Sequence, residues 1–182
     1  MTTYHFIRHG ESTANQQGLF AGFTDAPLTE KGLTQAQGVA KGIAEGDMWI
    51  DAIIASPLSR ALDTAKTIAA AIHFPVDKII VMQDLRERSA GQLELATVTD
   101  VYDVSEEQMT IYGGETADSF RERVKQAFAE IKQQTAGMQH VLIVAHAGIY
   151  KMAVALETGV EPATKAYQIP PPPNATLLPL SI

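Results

Sequence analysis

Two histidines and two arginines of this sequence stand close behind short apolar segments. Arg8 and His9 follow one such segment, Arg60 follows a second and His146 follows a third. Two guanidinium forks can hold the oxygens of a phosphoryl group bidentately. A neutral imidazole nitrogen can attack phosphorus if its other nitrogen is held as a donor. These residue types indicate phosphoryl chemistry through a phosphohistidine, with His9 or His146 as the nucleophile. A carboxylic acid of raised pKa would have to protonate the departing alkoxide.

The apolar segments alternate with stretches of helical period. Strands are expected at 4–8, 51–55, 78–82, 140–145 and 175–180. The helices between them are expected to begin at Thr29, at Ser56-Pro57, at Thr116 and near Ile149. This alternation predicts an α/β domain with a largely parallel sheet, and the unbroken apolar run 141–145 predicts cover on both faces. Ligands of such sheets bind beyond the carboxyl ends of the strands, so neighbouring strands would bring the two histidines and two arginines into one crevice.

Composition narrows the classes of function and location. The 182 residues suffice for one domain, and no apolar stretch approaches the roughly 20 residues that a bilayer span needs. The sequence has no cysteine, which excludes disulfides and thiolate metal sites and favours the cytoplasm. A net charge of −7 disfavours nucleic acid as a partner. The oligomeric state stays open, with a homodimer as one alternative.

Several motifs resemble, in order, those of the histidine phosphatase superfamily, which includes the cofactor-dependent phosphoglycerate mutases. The first motif is Arg8-His9-Gly10-Glu11-Ser12 with Asn15 after it. The later ones lie at 25–32, 56–61, 85–87, 113–115, 145–148 and 174–176. The resemblance runs from about residue 4 to 178. It implies a three-layer α/β/α, phosphoglycerate mutase-like fold, with residues 1–182 forming a single domain and an excursion at about 84–115 covering the active site.

The resemblance also implies a role for individual residues. His9 would be the phosphorylated nucleophile, and Glu87 would be the acid that later serves as the base for water. The phosphate pocket would be completed by Arg8, Arg60 and His146. The substrate wall would be formed by Asn15, Ala21, Gly22, Arg88 and Ala147. Neither a metal ion nor an organic cofactor is implied.

The segment after Glu87 departs from the mutases of this family. The mutases carry an insertion there with a paired arginine that grips the substrate carboxylate, whereas the segment from Arg88 to Tyr112 is short and has no basic residue after Arg88. The expected function is therefore a metal-independent phosphomonoesterase acting on a small phosphorylated metabolite. Three alternatives remain: a mutase, a phosphohistidine or phosphoprotein phosphatase, and a non-catalytic relative that binds an anion.

The remaining candidates receive structural interpretations. The other histidines have no second ligand at metal-like spacing and are predicted to be structural or exposed; these are His5, His73 and His140. Trp49 is expected in the core and the pair Glu106-Glu107 on a solvated face. The run Pro170–Pro173 is interpreted as a rigid connector in front of the last strand. Pro179 predicts that this strand lies at an edge of the sheet.

Overall fold

Strands and helices alternate along the chain, as the sequence pattern predicts. The computed structural model describes residues 2–46, 48–160 and 169–182. The strands in these ranges are β1 (Thr3–Arg8), β2 (Ala52–Ala55), β3 (Ile80–Val81), β4 (His140–Ala145) and β5 (Leu177–Leu180). The helices are α1 (Thr13–Gln16), α2 (Glu30–Glu45), α3 (Ser59–Ala71), α4 (Val98–Tyr102), α5 (Glu106–Ile111), α6 (Ala117–Gln134) and α7 (Ala147–Thr158). None of these helices combines the length and the apolar character needed to cross a bilayer.

The strands form one sheet in the order β3-β2-β4-β1-β5. Its first four strands run parallel, and β5 pairs antiparallel with β1 at the edge. The predicted largely parallel sheet and the edge position of Pro179 are thus confirmed. In the register, Arg8 pairs with Ala145 and Ala55 pairs with Val144. The carboxyl ends of β1, β2 and β4 therefore lie side by side, and the residues that follow them converge.

Helices cover both faces of the sheet, so the predicted three-layer α/β/α architecture is confirmed. Because side chains of a strand alternate between faces, each central strand contributes to two cores. One core packs β1, β2 and β4 against α6 and α7 through Phe6, Ile54, Ile143, Phe120, Val124 and Ile149. The other packs the same strands against α2 and α3 through Ile7, Ile53, Leu142, Ile43, Ala40 and Ile68. Burial of each large apolar side chain stabilises the fold by about 1.5–3 kcal/mol.

Two predicted helix caps are confirmed and one is wrong. Thr29 and Thr116 cap α2 and α6 by accepting backbone N–H bonds. The Ser56-Pro57 pattern does not begin α3, which starts at Ser59 with Leu58 as its N-cap. The hydroxyl of Ser56 accepts the N–H of Leu58 at 3.4 Å and also contacts His146 at 2.7 Å. The N–H of Ser59 donates to Asp25 at 2.8 Å, so a residue that is remote in sequence satisfies the first turn of α3.

The prediction for Trp49 is also wrong, since 76% of its surface is exposed. Its indole N–H donates to Asp51 at 3.1 Å, which holds the ring on the surface.

Strand β3 is shorter than predicted, because residues 76–78 form a 3₁₀ turn in front of it. Helix α7 begins at Ala147, two residues earlier than predicted, so His146 is its N-cap residue.

The segment 84–115 is built of short helices and turns, as its weak periodicity indicates. It has a small core of its own, in which Ala90, Val101 and Met109 are buried. Glu106, expected on a solvated face, instead accepts bonds from the Arg88 guanidinium and from the N–H of Ala117. This carboxylate ties the segment to the start of α6.

Candidate active site

The two histidines meet where β1 and β4 end. The His9 N–H donates to the Ala145 carbonyl at 3.0 Å, which continues the ladder between the strands. The rings of His9 and His146 are 5.2 Å apart between centroids and inclined by 60°. Arg8 closes β1, and Arg60 lies in the first turn of α3 behind β2. The structure therefore brings together the four residues that the sequence places at strand ends.

The ring of His9 is held in one neutral tautomer. Its Nδ1 lies 2.6 Å from the Gly10 carbonyl oxygen, and a carbonyl can only accept, so Nδ1 carries the proton and Nε2 keeps its lone pair. The ring is 4% exposed. Burial, and then the charges of Arg60 and Arg8, hold its pKa well below the usual 6.5. The imidazole is therefore neutral at physiological pH, the state in which it can attack phosphorus.

Both arginines use part of their donors on backbone carbonyls. Arg60 is 2% exposed and donates to Thr24 at 3.0 Å and to Gly22 at 2.9 Å. Arg8 donates to the Pro172 carbonyl at 2.9 Å, and its buried Nε has no hydrogen-bond partner within the described residues. Burial lowers the pKa of both groups, but a guanidinium stays protonated in proteins. Their remaining N–H groups are suited to phosphoryl oxygens.

The loop that receives Arg60 is fixed by Glu94, a residue the sequence interpretation did not assign. The carboxylate of Glu94 accepts the N–H of Phe23 at 2.9 Å, the N–H of Thr24 at 2.7 Å and the hydroxyl of Thr24 at 2.6 Å. Gly22 has φ +54°, and a side chain there would collide with this carboxylate. Glu94 thus positions Arg60 through the two carbonyls that Arg60 binds. The acidic residue three positions after Gly91 was the available signal.

Asn15 lies beside the backbone of His9. Asn174 donates to the His9 carbonyl at 2.8 Å and approaches the side-chain oxygen of Asn15 at 3.4 Å. The prolines before Asn174 also take part, since Pro170 and Pro171 line the cavity and Pro172 accepts from Arg8. The proline run is therefore part of the wall of the site as well as a connector.

The Glu87 carboxylate faces the cavity and is held there by backbone N–H donors. Its carboxylate accepts the N–H of Arg88 at 2.8 Å and the N–H of Gly148 at 3.0 Å. A Cβ on Gly148 would collide with this carboxylate, so the absence of a side chain there lets α7 approach the acid. Arg123 donates to the backbone carbonyl of Glu87 at 3.0 Å and is paired with Glu115. These contacts hold the carboxylate at the cavity.

His146 is fully buried and touches a second residue that the sequence interpretation missed. Its Nε2 lies 2.7 Å from the Ser56 hydroxyl, whereas its buried Nδ1 has no hydrogen-bond partner within the described part of the chain. Burial, followed by the charges of Arg60 and His9, holds its pKa well below 6.5. Ser56 thereby orients the ring. Its position directly behind β2 was the signal that could have revealed it.

A cavity of about 630 Å³ opens beside these groups, and His146, which is fully buried next to His9, does not line it. Of the predicted residues it is lined by Arg8, His9, Arg60, Glu87, Asn15, Ala21, Gly22 and Ala147. Arg88 does not line it, because its guanidinium turns to Glu106 at 3.0 Å and to the Glu115 carbonyl at 2.8 Å. The wall also includes Lys151 and Tyr102, which the sequence interpretation did not single out. Within the described residues, no cluster of three or more histidine or acidic side chains could hold a metal ion.

Comparison with known proteins places this geometry in a family. The profile of the histidine phosphatase superfamily (branch 1) matches residues 4–181. The chain is 28% identical over 167 residues to the adenosylcobalamin/alpha-ribazole phosphatase of Escherichia coli, which covers 85% of this chain and 78% of that protein. It is 34% identical over 164 residues to the uncharacterized phosphatase PhoE of Bacillus subtilis, covering 87% and 79%.

A solved structure shows the same fold. Bacillus stearothermophilus YhfR superposes with a TM-score of 0.82 at 26% identity, over 97% of this chain and 89% of that one. The family profile spans nearly the whole sequence, and the relatives are phosphatases by name. The expectation of an enzyme of this kind is thus confirmed: the chain belongs to the histidine phosphatase superfamily.

Proposed function

We propose that this protein is a metal-independent phosphomonoesterase that hydrolyses a small phosphorylated metabolite through a phosphohistidine at His9. The observation that carries the proposal is the state of the His9 ring. It is buried between two guanidinium groups, its Nδ1 proton is committed to the Gly10 carbonyl, and its Nε2 is free to attack.

In the first step, Nε2 of His9 forms a bond to phosphorus while the ester P–O bond breaks on the opposite side. Arg8 and Arg60 hold the transferred oxygens and offset their charge. His146 sits beside the His9 ring and has an unpaired Nδ1, which supports its placement in the same phosphate pocket. Glu87, protonated, gives its proton to the departing alkoxide, so the products are an alcohol and phosphorylated His9.

In the second step, water attacks the phosphohistidine. The Glu87 carboxylate accepts a proton from that water, the P–N bond breaks, and inorganic phosphate leaves. His9 recovers the lone pair on Nε2 and Glu87 recovers its proton. The backbone donors at Arg88 and Gly148 hold the carboxylate in one place for both transfers.

The dimensions of the cavity suit a metabolite. A volume of about 630 Å³ lies within the range of ordinary small-molecule sites. The named activity of the Escherichia coli relative, on alpha-ribazole phosphate, supports phosphomonoester hydrolysis as a class. Hydrolysis is favoured over transfer between hydroxyls because the segment 89–112 contains no arginine or lysine. Cytoplasmic location and the oligomeric state stay predictions.

Trapping the intermediate tests the proposal. The protein is mixed with a ³²P-labelled phosphomonoester in the presence of a chelator and quenched within milliseconds. We expect an acid-labile, alkali-stable label on His9 and release of inorganic phosphate, with no label in His9→Ala. His5→Ala, which changes a histidine at the other end of the same strand, should be labelled like the wild type. Label in His9→Ala, or activity abolished by the chelator, would overturn the mechanism.

A further inference from the structure

One cation of the active-site cavity has no part in the chemistry above. Lys151 lies on α7, five residues after His146, and is 5% exposed. It lines the main cavity and also a small apolar pocket of about 40 Å³ that adjoins it beside Glu87 and Phe20. With a rise of 1.5 Å per residue, its Cα is about 7.5 Å along the helix from that of His146. It therefore enters the cavity further along α7 than His146, the first contact of this helix with the histidine pair.

The ammonium of Lys151 has no ionic partner within the described residues. Its contact there is the face of Tyr102, with Nζ 5.4 Å from the ring centroid. Exposed lysines of this chain do pair with carboxylates, as Lys31 does with Glu11 and Lys66 with Asp63. Lys151 is buried and has no such carboxylate among the described residues, although burial makes an unpaired charge costly. Burial lowers the pKa of Lys151, and the nearby Glu87 charge opposes that shift.

When a substrate is ready to react, the positive charge of Lys151 is not matched by a negative charge among the described residues that line the cavity. Arg8 and Arg60 offset a phosphoryl dianion, and Glu87 must be protonated to act as the acid. The carboxylate of Glu11 also lines the cavity, but it is bonded to Lys31 and Thr29. The neighbouring phenol adds no charge, because burial raises the pKa of Tyr102 to about 12. Counted over the described residues that line the cavity, a loaded site therefore has one uncompensated positive charge beyond the phosphoryl group.

We infer that Lys151 binds a carboxylate carried by the leaving alcohol, so that the substrates are small carboxylated phosphomonoesters. The inference rests on the proposed function and specifies its substrate class. A carboxylate fits better than a second phosphate, because one ammonium matches a monoanion. The short distance along α7 places that carboxylate only a few bonds from phosphorus. The apolar pocket beside Lys151 leaves room for a small carbon substituent next to it.

A matched pair of esters tests this assignment. 3-Phosphoglycerate and glycerol 3-phosphate differ only in that a hydroxymethyl group replaces the carboxylate. Their kcat/KM values are measured for the wild type, for Lys151→Met, which keeps the length without the charge, and for Lys151→Arg, which restores a cation. We expect the wild type to prefer the carboxylated ester at least tenfold. Lys151→Met should lose about 10- to 100-fold on that ester alone, and Lys151→Arg should recover most of the loss.

The other outcomes are also informative. An equal loss on both esters would overturn the inference, because Lys151 would then act through Glu87 or Arg8. Unchanged kinetics in Lys151→Met would overturn it as well. If the wild type hydrolyses neither ester nor p-nitrophenyl phosphate, the proposed function fails by itself. The binding affinities of the two esters, measured by calorimetry, then decide on Lys151 separately: a preference for the carboxylated ester that Lys151→Met removes would support it, and equal affinities would refute it.

Discussion

Two histidine pairs lie on the same two strands, one at each end. At the carboxyl end, the rings of His9 and His146 are 5.2 Å apart. At the amino end, those of His5 and His140 are 5.4 Å apart, and their Nε2 and Nδ1 atoms lie within 3.1 Å. Both pairs bridge β1 and β4 at similar ring distances, although His5 and His140 are offset by two residues in the register and His9 and His146 directly follow a register pair. They differ in their surroundings.

The surroundings decide which pair can do chemistry. His5 and His140 are half-buried and bond to each other, so each ring uses the other as its partner. The neighbouring carboxylate of Asp51 accepts backbone N–H groups. At the other end, His9 bonds to a backbone carbonyl and keeps Nε2 free, with two guanidinium groups close enough to lower its pKa. A pair of imidazoles is therefore only the starting point; burial, anion-binding neighbours and a fixed tautomer make the site.

The sharpest test replaces one histidine from each pair. His146→Ala removes a buried ring beside the nucleophile, and we expect kcat/KM on p-nitrophenyl phosphate to fall by about 10³-fold, as for the loss of a preorganised group in a phosphate pocket. His140→Ala should stay within about twofold of the wild type, because its ring contacts only the opposite end of the strands. Comparable losses in the two variants would break the contrast between the pairs.

The second test concerns Glu87, the proposed acid, whose carboxylate lines the cavity with His9. Glu87→Gln keeps the shape of the side chain but cannot donate a carboxylic proton. We expect kcat/KM on alkyl phosphates to fall by about 10²- to 10³-fold. The loss on p-nitrophenyl phosphate should be smaller, since nitrophenolate leaves without protonation. A uniform loss on both classes of ester would show that Glu87 has another role.

The third test removes the hydrogen bond between Ser56 and His146. Ser56→Ala removes the hydroxyl 2.7 Å from its Nε2 and leaves a buried ring nitrogen unsatisfied. We expect kcat/KM to fall by about tenfold, on the order of one lost hydrogen bond of 1–2 kcal/mol. Ser56→Thr, which keeps the hydroxyl, should recover part of the activity. Activity at the wild-type level in Ser56→Ala would mean that packing alone orients His146.

The sequence predicts that Arg8, His9 and His146 come together, because each of them lies directly at the end of a strand. Parallel strands must bring such ends together. The same logic fails for Ser56, whose pattern with Pro57 is that of a helix cap while its hydroxyl contacts a residue 90 positions away. Contacts between distant segments leave little trace in local periodicity.

The region around Arg88 and Lys151 is predicted less well for the same reason. The guanidinium of Arg88 is bound by Glu106, which lies eighteen residues further on at the start of α5. Lys151 is not singled out by the sequence, yet packing beside Tyr102 buries it. Burial of a charge is decided by tertiary packing, which the sequence pattern of one helix does not contain.

The smallest effect that separates the two pairs is on stability against pH. His9 and His146 are buried and their pKa values lie well below 6.5, whereas both take up a proton near that pH in the unfolded chain. The unfolded state therefore binds more protons than the folded state as the pH falls through 6.5, and the contribution of these two histidines to the free energy of unfolding decreases as the pH drops further. Each histidine contributes a slope of up to about 1.4 kcal/mol per pH unit.

Urea unfolding from pH 7.5 to 5.5 measures this slope. His146→Ala should lose about half of it. His5→Ala should lose less, because the pKa of this half-buried ring is also lowered, by burial and by His140, but not as far as those of the two buried rings. The same slope in His146→Ala as in the wild type would assign the acid sensitivity to other groups and remove this distinction between the two ends of the sheet.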